Sequence, residues 1–250
     1  MSMKWRFLDL EVRNAYENMA TDEAIMEAVR TEDAPPTIRF YRWKPSAVSI
    51  GVQQKLNENV DVDECEKCGI DYVRRISGGG TVFHDSHGEI TYSVIVPEEY
   101  VPNGIRERFE LICGWIIRSL EQLGLHAEFE PINDVTVKGK KISGSAQIQR
   151  RGMILQHGTI LYDMDLDLMF SVITVQEEKL AKKQLTKASE RVTSITSHLD
   201  VTRSDVVEAL KQGFLEDKTY EIGQLTEKER KNAETLVETK YSTVDWNHKR

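Results

Sequence analysis

The 250-residue sequence predicts an α+β domain. Strand-like runs crowd residues 37–163, and helical periodicity dominates both ends. The regular strand–helix alternation of a parallel-sheet fold is missing. With no internal repeat, low-complexity tract or Gly/Ser linker, residues 1–250 read as a single domain.

Each element follows from local pattern. "ENMATDEAIMEAVR" (17–30) has helical spacing, with Met19, Ile25, Met26 and Val29 on one face. "TIRFYRW" (37–43) and "SAVSIGV" (46–52) are β-branched and aromatic runs separated by Lys44-Pro45, so they read as two strands joined by a turn. A helix around 60–68 ends at Gly69 and leads into a strand, "IDYVRR" (70–75). "TVFH" and "EITYSVIVP" then read as a β-hairpin joined by "DSHG".

Residues 104–125 give the strongest helix pattern. Ile105, Phe109, Ile112, Ile116 and Leu120 recur every three or four residues before a stop at Gly124. "HAEFEP", "NDVTVKGKKISGSAQIQRRG" and "MILQHGTILYDMD" read as strands with turns at Lys138-Gly139 and Arg151-Gly152. From about residue 165 onward the chain reads as mainly helical.

Composition excludes several classes. A formal charge of −8 argues against a general nucleic-acid binder. No segment is long and apolar enough to span a bilayer, and the N-terminus lacks the apolar core of a secretory signal. A cytoplasmic location is therefore expected. The cysteines are Cys65, Cys68 and Cys113. The first two form a C-x-x-C pair, but no further paired ligands complete a tetrahedral zinc site. All three fall on predicted helices, away from the two loops described next.

"RRISGGGTVFHD" (74–85) places three glycines after two arginines. Consecutive glycines let backbone N–H groups converge on an anion, and arginines add charge-assisted donors. A flexible corner with two solvated arginines is the structural alternative. "NDVTVKGKKISGSAQ" (133–147) adds Asp134, whose carboxylate suits a magnesium ion, and Lys141 beside the small-residue segment "ISGSA". Together the two cation-rich, small-residue loops point to a nucleotide site. His84 and His157 read as hydrogen-bonded structural residues. Lys138, Lys140, Arg150 and Arg151 suit either an acidic partner or plain solvation.

In this order, "RRISGGGTVFHD", "NDVTVKGKKISGSAQ" and "HGTILYDMDLD" (157–167) resemble the lipoate-protein ligase A family, within the biotin and lipoate protein ligases. The resemblance spans nearly the whole chain, in the short form without a small C-terminal domain. It implies a mixed β-sheet core flanked by helices. It also implies ATP-dependent activation of lipoate to lipoyl-AMP with Mg2+, then transfer to a lysine of a lipoyl domain.

Carried over by position, Arg75, Gly78, Gly79, Gly80, Thr81, Val82 and Phe83 would bind ATP and lipoyl-AMP. Lys141 would be catalytic and touch both phosphate and carbonyl, while Asp134, beside Asn133, would support the metal. The implied partners are lipoyl domains of 2-oxo-acid dehydrogenase complexes, the glycine-cleavage H protein and a separate small accessory protein. An octanoyltransferase of the same superfamily needs a nucleophilic cysteine in the acyl site. None flanks the lysine motif, so the ligase reading is preferred over that transferase. A non-catalytic binding protein is the remaining alternative, and the polar segment 179–192 is a candidate lid.

Overall fold

The computed structural model describes residues 3–173 and 190–249. Two β-sheets organise it. The strands are β1 (Lys4–Arg13), β2 (Thr37–Trp43), β3 (Ala47–Ile50), β4 (Asp71–Arg74), β5 (Val82–His84), β6 (Glu89–Pro97), β7 (Ala127–Glu130), β8 (Asp134–Val137), β9 (Lys140–Arg150), β10 (Met153–Leu161) and β11 (Thr219–Ile222). The large sheet has the order β11-β1-β2-β6-β10-β9-β8-β7, and the small one β4-β3-β5. Pairing is parallel at β11-β1-β2 and antiparallel from β2 to β7, so the large sheet is mixed.

The helices are α1 (Ala15–Arg30), α2 (Leu56–Asn59), α3 (Val62–Cys68), α4 (Ile105–Gln122), α5 (Leu166–Val172), α6 (Arg203–Leu215), α7 (Glu227–Leu236) and α8 (Val244–Asn247). Helix α1 starts at a capping box: the Asn14 side chain accepts from the Glu17 amide at 2.9 Å, and the Glu17 carboxylate accepts from the Asn14 amide at 3.1 Å. Helix α4 buries Phe109, Ile112, Cys113, Ile116 and Leu120 on its apolar stripe. Gly124, at φ +83°, follows its end.

Apolar burial separates the layers. Phe40, Tyr92, Val94 and Ile154 meet Ile112, Ile116 and Phe214 on one face of the large sheet. Tyr41, Ile95 and Leu155 meet Met19, Ile25 and Met26 of α1 on the other. Val48, Ile50 and Phe83 of the small sheet pack with Leu56, Cys65 and Val172 in a third cluster.

Several expectations need correction. Strands β5 and β6 do not form a hairpin: β5 pairs with β3 in the small sheet, and β6 lies between β2 and β10 in the large one. The reason is burial on both faces of β6, where every residue from Glu89 to Val96 is buried, so this is a central strand. Likewise β2 and β3 are strands but belong to different sheets. The N-terminal strand β1 and the edge strand β11 were not foreseen. A register shift between Leu8 and Glu11 interrupts β1, and all four residues of β11 are exposed, so neither shows clean alternation. Residues 179–189 of the candidate lid lie outside the described residues.

Candidate functional site

The two sheets enclose a cavity of about 350 Å³. Its apolar lining includes Met19, Tyr41, Trp43, Phe83, Met164 and Ile173. Of its lining residues Tyr41, Trp43, His84 and His157 are buried, whereas Gly80, Thr81, Asn133 and Lys141 are exposed or half-buried and lie toward its opening. The sequence-predicted Arg75, Gly79, Gly80, Thr81, Val82, Phe83 and Lys141 all line it. Asp134 stands beside them through Lys141, while Gly78 borders the lining as part of the loop.

Lys141 enters the site because β9 follows a tight turn, with Lys138 at φ 51° and Gly139 at φ 73°. A register shift between Val135 and Thr136 then sets β8 against β9. The Lys141 ammonium pairs with Asp134 Oδ1 at 2.7 Å, and both side chains are half-exposed. Asp134 thereby brings a carboxylate beside the opening. Among the described residues no three His, Cys, Asp or Glu side chains converge as metal ligands. A magnesium ion held by protein alone needs more oxygens than Asp134 offers.

Arg74 and Arg75 are buried beneath the glycine loop instead of projecting from it. Arg74 donates to the carbonyls of Gly51, Val52, Gln54, Trp246 and Asn247, tying α8 to the loop's base. Burial pushes the Arg75 guanidinium down to about 10. Of the three glycines, only Gly79 has a conformation that demands glycine, φ +95°. A Cβ on Gly78 or Gly80 would meet nothing within 4 Å.

Two histidines expected to be structural do reach the cavity wall. His157 Nδ1 lies 3.3 Å from Asp22 Oδ2, and its Nε2 lies 2.6 Å from Ser77 Oγ. His84 Nδ1 lies 2.8 Å from Glu89 Oε1, its Nε2 2.8 Å from Ser49 Oγ, and its ring stacks on Trp43 with centroids 3.9 Å apart. Burial pulls His157 below 6.5, against the opposing pull of Asp22. Asp22 is raised by burial, but hydrogen bonding from His157, the Arg39 charge and the Ser93 hydroxyl outweigh it and hold it low. Sequence reasoning missed Asp22, Ser49, Ser77 and Glu89, which sit on four separate segments. The signal was a set of polar residues inside otherwise apolar runs.

Cys113 corrects the expectation that every cysteine lies away from the loops. Its Sγ is 3.8 Å from Ser145 Oγ, one layer behind the cavity wall. Burial pushes this thiol up to about 12. Among the described residues no cysteine lines the cavity itself.

A largely apolar cavity between two sheets, with a lysine among its more exposed lining residues, is the site these elements build. The family model of the lipoyl protein ligase A/B catalytic domain matches residues 14–215. The chain belongs to that family. Curated relatives at 32–37% identity over 98–100% of the chain are octanoyltransferases LipM from several bacteria. That of Symbiobacterium thermophilum is 37% identical over 99% of each chain. Among solved structures, the bipartite lipoate protein ligase of Thermoplasma acidophilum, studied with its E2 lipoyl domain, is 36% identical. It has a TM-score of 0.89 and covers 98% of this chain and 96% of that one. A lipoate-protein ligase A bound with ATP is 33% identical over 99% of each chain, with a TM-score of 0.84.

The full-length relatives overturn the expectation of an ATP-dependent lipoate ligase. That expectation rested on three motifs and a missing cysteine. The motifs supply the glycine loop, part of the cavity wall and the lysine toward its opening. Linear distance from the lysine motif was also a poor guide, since the fold brings Cys113 against Ser145. This structure's membership in the mixed-sheet fold stands as expected. No helix among the described residues is long and apolar enough to cross a membrane.

Proposed function

We propose that this protein is an octanoyltransferase. It takes an octanoyl group from the thioester of an acyl-carrier protein and delivers it to the ε-amine of a lysine on a lipoyl domain. The H protein of glycine cleavage is a second acceptor of the same chemistry. The observation carrying the reading is the largely apolar cavity with Lys141 among its half-exposed lining residues, together with the octanoyltransferase names of the full-length relatives. Residues 1–250 act in it as one catalytic unit.

The slot supplies chain recognition, since each buried methylene contributes about 0.8 kcal/mol. The carbonyl carbon stays at the opening. Attack by the neutral acceptor amine forms the C–N bond and a tetrahedral intermediate. Its oxyanion is stabilised by the Lys141 ammonium, which Asp134 holds in place. The C–S bond then breaks and the amine proton ends on the carrier sulfur, giving an amide and a free thiol. Gly78, Gly79, Gly80, Thr81, Val82 and Phe83 form the wall that shapes the acyl donor's reacting end, and Arg75 lies buried behind them. Among the described residues no thiol lines the cavity, so the nucleophilic cysteine expected of an octanoyltransferase is not at the site. Transfer in this reading departs from that expectation by being direct, without an acyl-cysteine.

The experiment is transfer from octanoyl-carrier thioester to a purified lipoyl domain, followed by intact mass without ATP. A gain of one octanoyl group supports the reading. Absence of transfer at any enzyme concentration sinks it, and octanoyl binding without transfer would leave a binding protein.

A further inference from the structure

All five N–H donors of Arg75 are used inside the protein. Nε donates to Ser77 Oγ at 3.2 Å; Nη1 donates to the Ser49 carbonyl at 3.2 Å and to its Oγ at 3.1 Å; Nη2 donates to the carbonyls of Gly78 and Gly80 at 2.8 and 2.7 Å. Both serine hydroxyls are themselves oriented. A neutral histidine that donates through Nδ1 to a carboxylate presents Nε2 as an acceptor. Ser77 therefore donates to His157, backed by Asp22, and Ser49 donates to His84, backed by Glu89. Each serine is left with a lone pair for Arg75. Two carboxylate–histidine–serine chains thus converge on one guanidinium and fix its plane.

That plane fixes the loop. The Gly78-Gly79 and Gly80-Thr81 peptides are trans, so each N–H points opposite to the carbonyl of the same plane. With the carbonyls of Gly78 and Gly80 turned onto Arg75, the N–H groups of Gly79 and Thr81 face away from it. Neither has a hydrogen-bond partner among the described residues, and both residues line the cavity.

We infer that Arg75 is a positioning residue that works through the glycine loop, and that Ser49–His84–Glu89 and Ser77–His157–Asp22 are the two struts that set it. The product of the arrangement is a donor pair, the N–H groups of Gly79 and Thr81, aimed at an oxygen of the bound acyl donor. In the acyl-transfer reading, on which this inference rests, that oxygen is the carbonyl oxygen as it gains negative charge. The charge of Arg75 is spent inside the fold and does not touch substrate.

The groups facing the struts are Asp22 from α1, Arg39 and Tyr41 from β2, Arg75 itself, and His84 beside Glu89. Protonating His157 turns its Nε2 into a donor. The Ser77 hydroxyl proton then has no acceptor on His157, and the new imidazolium charge faces the buried Arg75 guanidinium, so the strut is weakened.

The test is a mutant cycle read by kinetics and by NMR. Arg75→Lys keeps a charge but loses the planar fork, and should lower kcat about a hundredfold, the scale of a misplaced reacting group. KM for the lipoyl domain should stay within about twofold. Ser49→Ala and Ser77→Ala should each lower kcat alone and have no further effect in the Arg75→Lys background. Ser77→Ala should also remove the acid limb of the kcat profile. Multiplying effects, an unchanged acid limb, or full kcat in Arg75→Lys would overturn the inference. If Arg75→Lys does not fold, the Ser49→Ala and Ser77→Ala pair carries the same comparison. Backbone amide signals of Gly79 and Thr81 give an arm independent of activity. Shifts common to all variants support the struts, and unchanged signals refute them. A wild-type protein that fails to transfer octanoate while these shifts appear refutes the transfer reading alone.

Discussion

Lys141 lies directly over Gly144. A Cβ placed on Gly144 would stand 2.5 Å from both Cε and Nζ of Lys141, and 3.3 Å from Asp134 Oδ1. The "SG" of the lysine motif is therefore a bed for the lysine side chain. Gly144→Ala should displace the ammonium from the opening and lower kcat by roughly a hundredfold, the loss expected when one oxyanion donor is removed. Lys141→Ala should match it. Steady-state transfer assays on both variants check this, with circular dichroism showing an intact fold. Normal kcat in Gly144→Ala would mean that the lysine's position is not what matters.

The glycine triplet separates in a similar way. Gly79→Ala puts a side chain at φ +95° and within 2.9 Å of Arg75 Nη2, and should cost on the order of 1–2 kcal/mol. Gly78→Ala and Gly80→Ala meet open space and should stay within about 0.5 kcal/mol of the parent. Urea unfolding of the three variants distinguishes a forced position from two permissive ones.

Stability should fall in acid by two steps. His157 is held below 6.5 by burial, so the unfolded chain takes up its proton first. Its contribution is complete above about 6.5 and is lost as pH falls from there toward the lower folded value. Asp22 sits below 3.8 despite burial, because His157, Arg39 and Ser93 favour its charge. Its contribution is lost only as pH falls from 3.8 through the folded value. Unfolding free energies between pH 7.5 and 5 should show the first step in the parent and not in His157→Gln.

Cys113 is buried, with its thiol pushed up to about 12 by burial. A thiol so disfavoured as thiolate is a poor nucleophile. Cys113→Ala should retain octanoyl transfer within a few-fold, while losing about 1 kcal/mol of stability to the small cavity. An acyl group trapped on Cys113, read by peptide mass after rapid quenching, would contradict direct transfer.

Much of this was legible in the chain. The β8–β9 turn at Lys138-Gly139 and the helix over Ile105–Gln122 followed from local chemistry, a positive-φ turn and a 3.6-residue apolar stripe. The cavity residues from Gly79 to Phe83, and Lys141, were named from motif order. Sheet membership was not legible, because "TVFH" and "EITYSVIVP" carry the same strand signal whichever sheet receives them. Nor were the struts, since Asp22, Ser49, Ser77 and Glu89 become neighbours of the histidines only once two sheets and α1 close on one another. The activity itself was misread because proteins similar to this chain over nearly its full length include both octanoyltransferases and lipoate-protein ligases. The suggested patch of Lys138, Lys140, Arg150 and Arg151 also divides. Lys138 lies in the turn before β9 and Lys140 at its start, whereas Arg150 ends the strand and Arg151 lies in the following turn.

The most direct measurement is the intact mass of a lipoyl domain after incubation with this protein and octanoyl-acyl-carrier protein, with no ATP present. One octanoyl group on a single lysine is expected, with the rate lowered roughly a hundredfold by Lys141→Ala. A lipoyl domain left unmodified at every enzyme concentration would contradict it.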